Sequence, residues 1–162
     1  MKKEKNFSER VLIHYIHLHE TPLLSKPNEA DIILIVEKLP TENHSFECFV
    51  HGEEIAKFKK GETAFVLLVL VNWAWMNKKS ENNETEIKYI KRTPTAVNSY
   101  VLRGKILEIF DDSKYDDSYN AVIDCGIFVK LRLLKDQNFK IGDYLCAEGR
   151  LDASIVRGDE KI

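Results

Sequence analysis

The feature that most constrains this chain is a succession of short Val-, Ile-, Leu- and Phe-rich runs, each bounded by Gly, Asn, Asp or Ser. In the first half they are Asp31-Ile32-Ile33-Leu34-Ile35-Val36-Glu37, Phe46-Glu47-Cys48-Phe49-Val50 and the stretch from Ala64 to Val71. In the second half they are Lys105 to Phe110, Ala121 to Cys125, Ile127 to Leu133 and Tyr144 to Ala147. Short runs rich in β-branched and aromatic residues, closed by turn formers, are strands, and few stretches carry a helical period. The chain is therefore predicted to be mostly β with little helix.

The runs repeat in order. Shifting the first half by 74 residues lays Ile32 on Ile106, Ile33 on Leu107, Ile35 on Ile109 and Gly52 on Gly126. After seven extra residues, a shift of 81 lays Phe58-Lys59-Lys60-Gly61-Glu62 on Phe139-Lys140-Ile141-Gly142-Asp143. Each pentapeptide precedes an apolar run, and its glycine suits a turn that needs positive φ. Strand, hairpin at Gly52 or Gly126, connection and long strand together resemble the first four strands of an OB-fold, a five-stranded Greek-key barrel. The resemblance implies two OB-like halves, with fifth strands at Glu86 to Lys91 and Ala153 to Arg157. It divides the chain into an N-terminal extension (1–29), a first half (30–92), a linker (93–99) and a second half (100–162). Two polar stretches, Asn77 to Glu84 and Asp111 to Asn120, read as solvated loops.

Composition narrows the class. A hydrophobic share of 44% and a charged share of 31% in 162 residues suit a globular chain with a real core. Three cysteines, Cys48, Cys125 and Cys146, make no disulfide framework. The charged N-terminus opens no signal-type apolar core, and Ala64 to Val71 is too short to cross a bilayer. A cytoplasmic protein without a membrane span is expected.

Catalytic and metal chemistry find little purchase. His14, His17 and His19 with Cys48 and His51 offer imidazole and thiolate, but their spacing matches no closed zinc site. The acidic loop around Asp111-Asp112 lacks the central glycine and terminal glutamate of a tight calcium loop. Cys125 and Cys146 sit among apolar neighbours, and no nucleophile elbow or phosphate-cradling loop occurs. No cofactor, no metal and no enzyme activity are expected, with a small hydrolase as the alternative.

The charge distribution points elsewhere. Residues 57–105 hold ten basic and four acidic side chains, whereas both flanks carry an acidic excess within a net charge of −2. Lys57, Phe58, Lys59, Trp73, Trp75, Lys78, Lys79, Lys88, Tyr89, Lys91 and Arg92 mix cations with aromatic rings, as surfaces that bind single-stranded nucleic acid do. Trp73 and Trp75 are two apart, so on a strand both rings share a face. Tryptophan-rich faces also serve protein partners, a homodimer included. The expectation is a non-catalytic binding protein whose partner is a protein or single-stranded nucleic acid.

Overall fold

The computed structural model describes residues 7–19, 28–38, 45–90, 99–112 and 114–156. The protein is mostly β. Its strands are β1 (Glu9–Leu18), β2 (Glu29–Val36), β3 (Ser45–His51), β4 (Thr63–Val71), β5 (Lys78–Lys79), β6 (Glu86–Ile90), β7 (Ser99–Asp111), β8 (Ser118–Asp124), β9 (Phe128–Leu134) and β10 (Tyr144–Val156). Among the described residues three short 3₁₀ turns, Gly52–Lys57, Ala74–Met76 and Lys135–Gln137, accompany the strands. The chain divides into two units, residues 1–68 with 152–162, and residues 69–151.

In the first unit β2 pairs antiparallel with both β1 and β3, and β1 pairs antiparallel with β4. The last residues of β10 belong here, and Asp152 pairs in parallel with Phe49 of β3. Val11, Ile13, Ile32, Leu34, Val36, Cys48, Val50, Phe58, Val66 and Leu68 are buried together as its core. In the second unit β8 pairs antiparallel with β7 and β9, and β7 pairs antiparallel with β6 and β10. Here the end of β4 belongs, with Val69 in parallel register with Lys130 of β9. Strand β9 shows why the sequence folds this way. Val129, Leu131 and Leu133 are buried while Lys130 and Arg132 between them are not, the period of two that a half-buried strand requires.

Both units carry the same local device. Gly61 N donates to Ile13 O (2.7 Å) and Ile13 N donates to Glu62 O (2.9 Å). In the second unit Gly142 N donates to Ile106 O (2.8 Å) and Ile106 N donates to Asp143 O (2.8 Å). Gly61 and Gly142 have φ of 85° and 95°, which a side chain would strain. A register shift follows each isoleucine, between Ile13 and Tyr15 and between Ile106 and Glu108. The two Phe-Lys-x-Gly-acid pentapeptides thus make one turn twice.

The strand equivalence differs from the one the shift of 74 predicts. Ile106 has its counterpart in Ile13, not Ile32, so β1 corresponds to β7 and lies within the segment read as an extension. Gly52, expected to turn a hairpin, opens a 3₁₀ turn at φ 65°, while Gly126 (φ 103°) does turn from β8 to β9. Apolar strands resemble one another in composition, so only hydrogen-bond register separates the correct pairing from its neighbour. The proposed fifth strands are likewise redistributed. β6 pairs with β7 in the second unit, and the residues from Ala153 to Val156 belong to the first.

Candidate ligand cleft

The second unit holds an open cleft of about 480 Å³ lined by Val71, Asn72, Trp73, Met76, Ser99, Glu148, Gly149 and Arg150. Its geometry starts from where β4 ends. After Val71 the chain closes a 3₁₀ turn in which Met76 N donates to Trp73 O (2.9 Å) and Asn77 N to Ala74 O (3.1 Å). Two asparagines bracket the turn: Asn72 Nδ2 donates to Asn77 Oδ1 (2.6 Å), and Asn77 Nδ2 donates to Arg132 O (3.0 Å). Gln137 Nε2 donates to Trp75 O (3.4 Å) and Asn77 O (3.2 Å). With its backbone so held and only Ala74 and Asn77 buried, the turn leaves Val71, Trp73, Trp75 and Met76 exposed. Asn72 Oδ1 is buried and has no hydrogen-bond partner among the described residues.

The opposite wall is the middle of β10, where Gly149 registers with Tyr100 of β7. A Cβ on Gly149 would stand 2.4 Å from Val71 O and 2.8 Å from the Asn72 Cβ. Glycine is therefore what lets the end of β4 approach β10 so closely. Glu148 and Arg150 flank it, two positions apart and on the same side of the strand. The cleft so combines an apolar aromatic wall with one carboxylate, one guanidinium, an amide and the Ser99 hydroxyl.

The residues singled out in sequence scatter. Phe58 is buried in the first unit's core, Lys57 pairs with Glu54 at 2.6 Å, and Lys59 is exposed in the same unit. Trp73 and Trp75 are 72% and 66% exposed, but on the 3₁₀ turn and not on a strand face. Lys78 and Lys79 form β5 against Cys146 and Leu145, with Lys79 Nζ 3.6 Å from Asp143. Lys88 and Tyr89 lie on β6, where the Tyr89 ring meets Tyr100 edge-on at 5.5 Å. Lys91 and Arg92 fall outside the described residues. Of the nine that are described, only Trp73 lines the cleft; Val71, Asn72, Met76, Ser99, Glu148, Gly149 and Arg150 were not singled out. The glycine-interrupted alternation of β10 was the one sequence signal that could have found the far wall.

None of the described histidines or cysteines lines this cleft. His19 Nε2 lies 2.7 Å from Asp31 Oδ2 and Nδ1 lies 3.4 Å from Glu29 Oε2, closing the end of β1 against β2. Hydrogen bonding to Asp31 raises the His19 pKa above its ordinary 6.5. Cys48 and Cys125 are buried. Among the described residues no group of three or more His, Cys, Asp or Glu could hold a metal ion. No helix among them is long and apolar enough to cross a membrane.

No family model matches the chain, and no curated protein does. A solved structure that it is similar to is the cytoplasmic molybdate-binding protein ModG with molybdate bound. The identity is 10%, the likeness covers 92% of this chain and 95% of that one, and the TM-score is 0.42. That protein is titled for molybdate, a small ligand; the surface expected here for a protein partner, a homodimer or a single nucleic-acid strand is corrected by where its residues lie. The fold itself gives a physical reason for the correction. The cations and rings that were to form one surface are divided between a core, two ion pairs and separate elements of two units.

Proposed function

We propose that the chain is a non-catalytic protein that binds a small molecule in the cleft between residues 71–76 and 148–150. The observation that carries the reading is the cleft's make-up: an exposed Trp73 with Val71 and Met76, lined together with Asn72, Ser99, Glu148, Gly149 and Arg150. Small-molecule sites combine apolar and aromatic lining with a few placed polar groups, in volumes of roughly 300–1,000 Å³. We also propose that the two halves are OB-type barrels related by duplication. The repeated Ile–Gly hydrogen-bond device and the parallel pairings Val69–Lys130 and Asp152–Phe49, which repeat one strand relation, favour it.

The test is a titration with 8-anilinonaphthalene-1-sulfonate, a flat apolar anion that brightens in an apolar cleft. Saturable binding with one site, abolished by Trp73→Ala at unchanged melting temperature, is expected. Binding of equal strength in that variant would exclude the cleft as the site.

A further inference from the structure

Strand β1 is held unevenly along its length. Val11 and Leu12 pair with β2 on one side and β4 on the other, whereas among the described residues 15–18 pair with β2 alone. Val11 and Ile13 are buried, but between 14 and 18 no side chain is. One-sided pairing with few buried contacts is what lets a segment open by itself. Just past the strand, His19 N donates to Glu29 O (2.9 Å), and the ring lies between two carboxylates. Its Nε2 is 2.7 Å from Asp31 Oδ2 and its Nδ1 is 3.4 Å from Glu29 Oε2. The Asp31 side chain is only 6% exposed, and its Oδ1 has no hydrogen-bond partner among the described residues.

We infer that residues 15–19 form a flap that a proton on His19 holds shut and that opens when the ring becomes neutral. Only the imidazolium donates from both nitrogens, and either neutral tautomer turns a lone pair toward one carboxylate. Asp31, too buried to be hydrated where it stands, then loses the charge that compensates it, and opening to water relieves it. The charged and titratable groups around the ring come from each neighbouring strand. They are His17 on β1 (5.9 Å ring to ring), Glu29 and Asp31 on β2, and Asp152 of β10, in register with Phe49 of β3. Phe49 lies 6.2 Å from His19, with the His51 ring stacked on it at 6.0 Å and Glu47 on the same face of β3. Toward the inner end of the flap, Lys60 Nζ stands 5.5 Å over the Tyr15 ring.

The experiment is residue-resolved amide hydrogen exchange of the full chain from pH 6 upward, normalised for intrinsic exchange and repeated in low urea. The amide of residue 19 is expected to lose roughly threefold to tenfold in protection as pH rises above 6.5. Its exchange should not respond to low urea, because a flap exposes little surface. The Ile13 amide, bonded to Glu62 O, should exchange more slowly and accelerate with urea. His19→Gln should remove the pH dependence, and His17→Gln and His51→Gln should each keep it. Protection that stays level with pH, or a dependence that survives His19→Gln or is lost in either control, overturns the assignment to His19. Equal rates and equal urea slopes at residues 13 and 19 overturn the flap, since the segment would then open only with its whole unit.

Discussion

Gly149→Ala is the sharpest test of how the cleft is built. The new methyl would sit 2.4 Å from Val71 O, and the ordinary carbon–oxygen approach is about 3.3 Å or more, so the strands must part by roughly 1 Å. The obstacle is backbone and not the far end of a flexible side chain, so no rotamer change relieves it. Overpacking of this kind costs roughly 1–3 kcal/mol. With a urea slope of about 1–3 kcal/mol per molar for a small protein, the midpoint should fall by about 1 M. Because Val71 and Asn72 form one wall, dye binding at the cleft should weaken in the folded variant as well. Gly52→Ala is the control. Its Cβ meets nothing within 4 Å, and the cost is only that of φ 65°, about 1–2 kcal/mol, in the other unit. It should lower stability and leave dye binding intact. Urea midpoints followed by tryptophan fluorescence, with dye titration below the transition, separate the two. A Gly149→Ala protein with native midpoint and native dye affinity would refute the close approach on which the cleft depends.

Asn77→Ala removes a buried side chain that accepts from Asn72 and donates to Arg132 O, and should cost roughly 1–3 kcal/mol by urea unfolding; an unchanged midpoint would count against the asparagine bracket. His19, its pKa raised by hydrogen bonding to Asp31, contributes stability that is present in full below the ordinary value of 6.5 and lost as pH rises through the raised folded value. The melting-temperature advantage of the native chain over His19→Gln should therefore shrink as pH rises above 6.5; an advantage that grows would contradict the pairing. Burial first, and then the charges of Asp152, Glu47 and Asp31, push the Cys48 thiol far above its ordinary range. Iodoacetamide should label Cys48 only after denaturation, as read by peptide mass spectrometry, and rapid native labelling would refute its burial.

Local pattern carried much of this fold into the sequence. The alternation of Val129, Leu131 and Leu133 with Lys130 and Arg132 specifies a half-buried strand without reference to any other residue. The two Phe-Lys-x-Gly-acid pentapeptides likewise mark their turns, since a glycine at positive φ is a local requirement. What the local pattern could not carry was partnership. Ile13 and Ile32 are both buried isoleucines in apolar strands, and only the hydrogen bonds to Gly61 and Glu62 single out Ile13 as the counterpart of Ile106. The cleft is hidden for the same reason. Val71 to Met76 and Glu148 to Arg150 are more than seventy residues apart in the chain, and their meeting depends on the missing side chain of Gly149. The basic middle third was legible as charge, but charge counted along a chain carries no information about which face each side chain takes. Composition, strand identity and turn chemistry follow from neighbours in sequence, whereas register, the membership of each unit and the cleft follow from which strand lies against which.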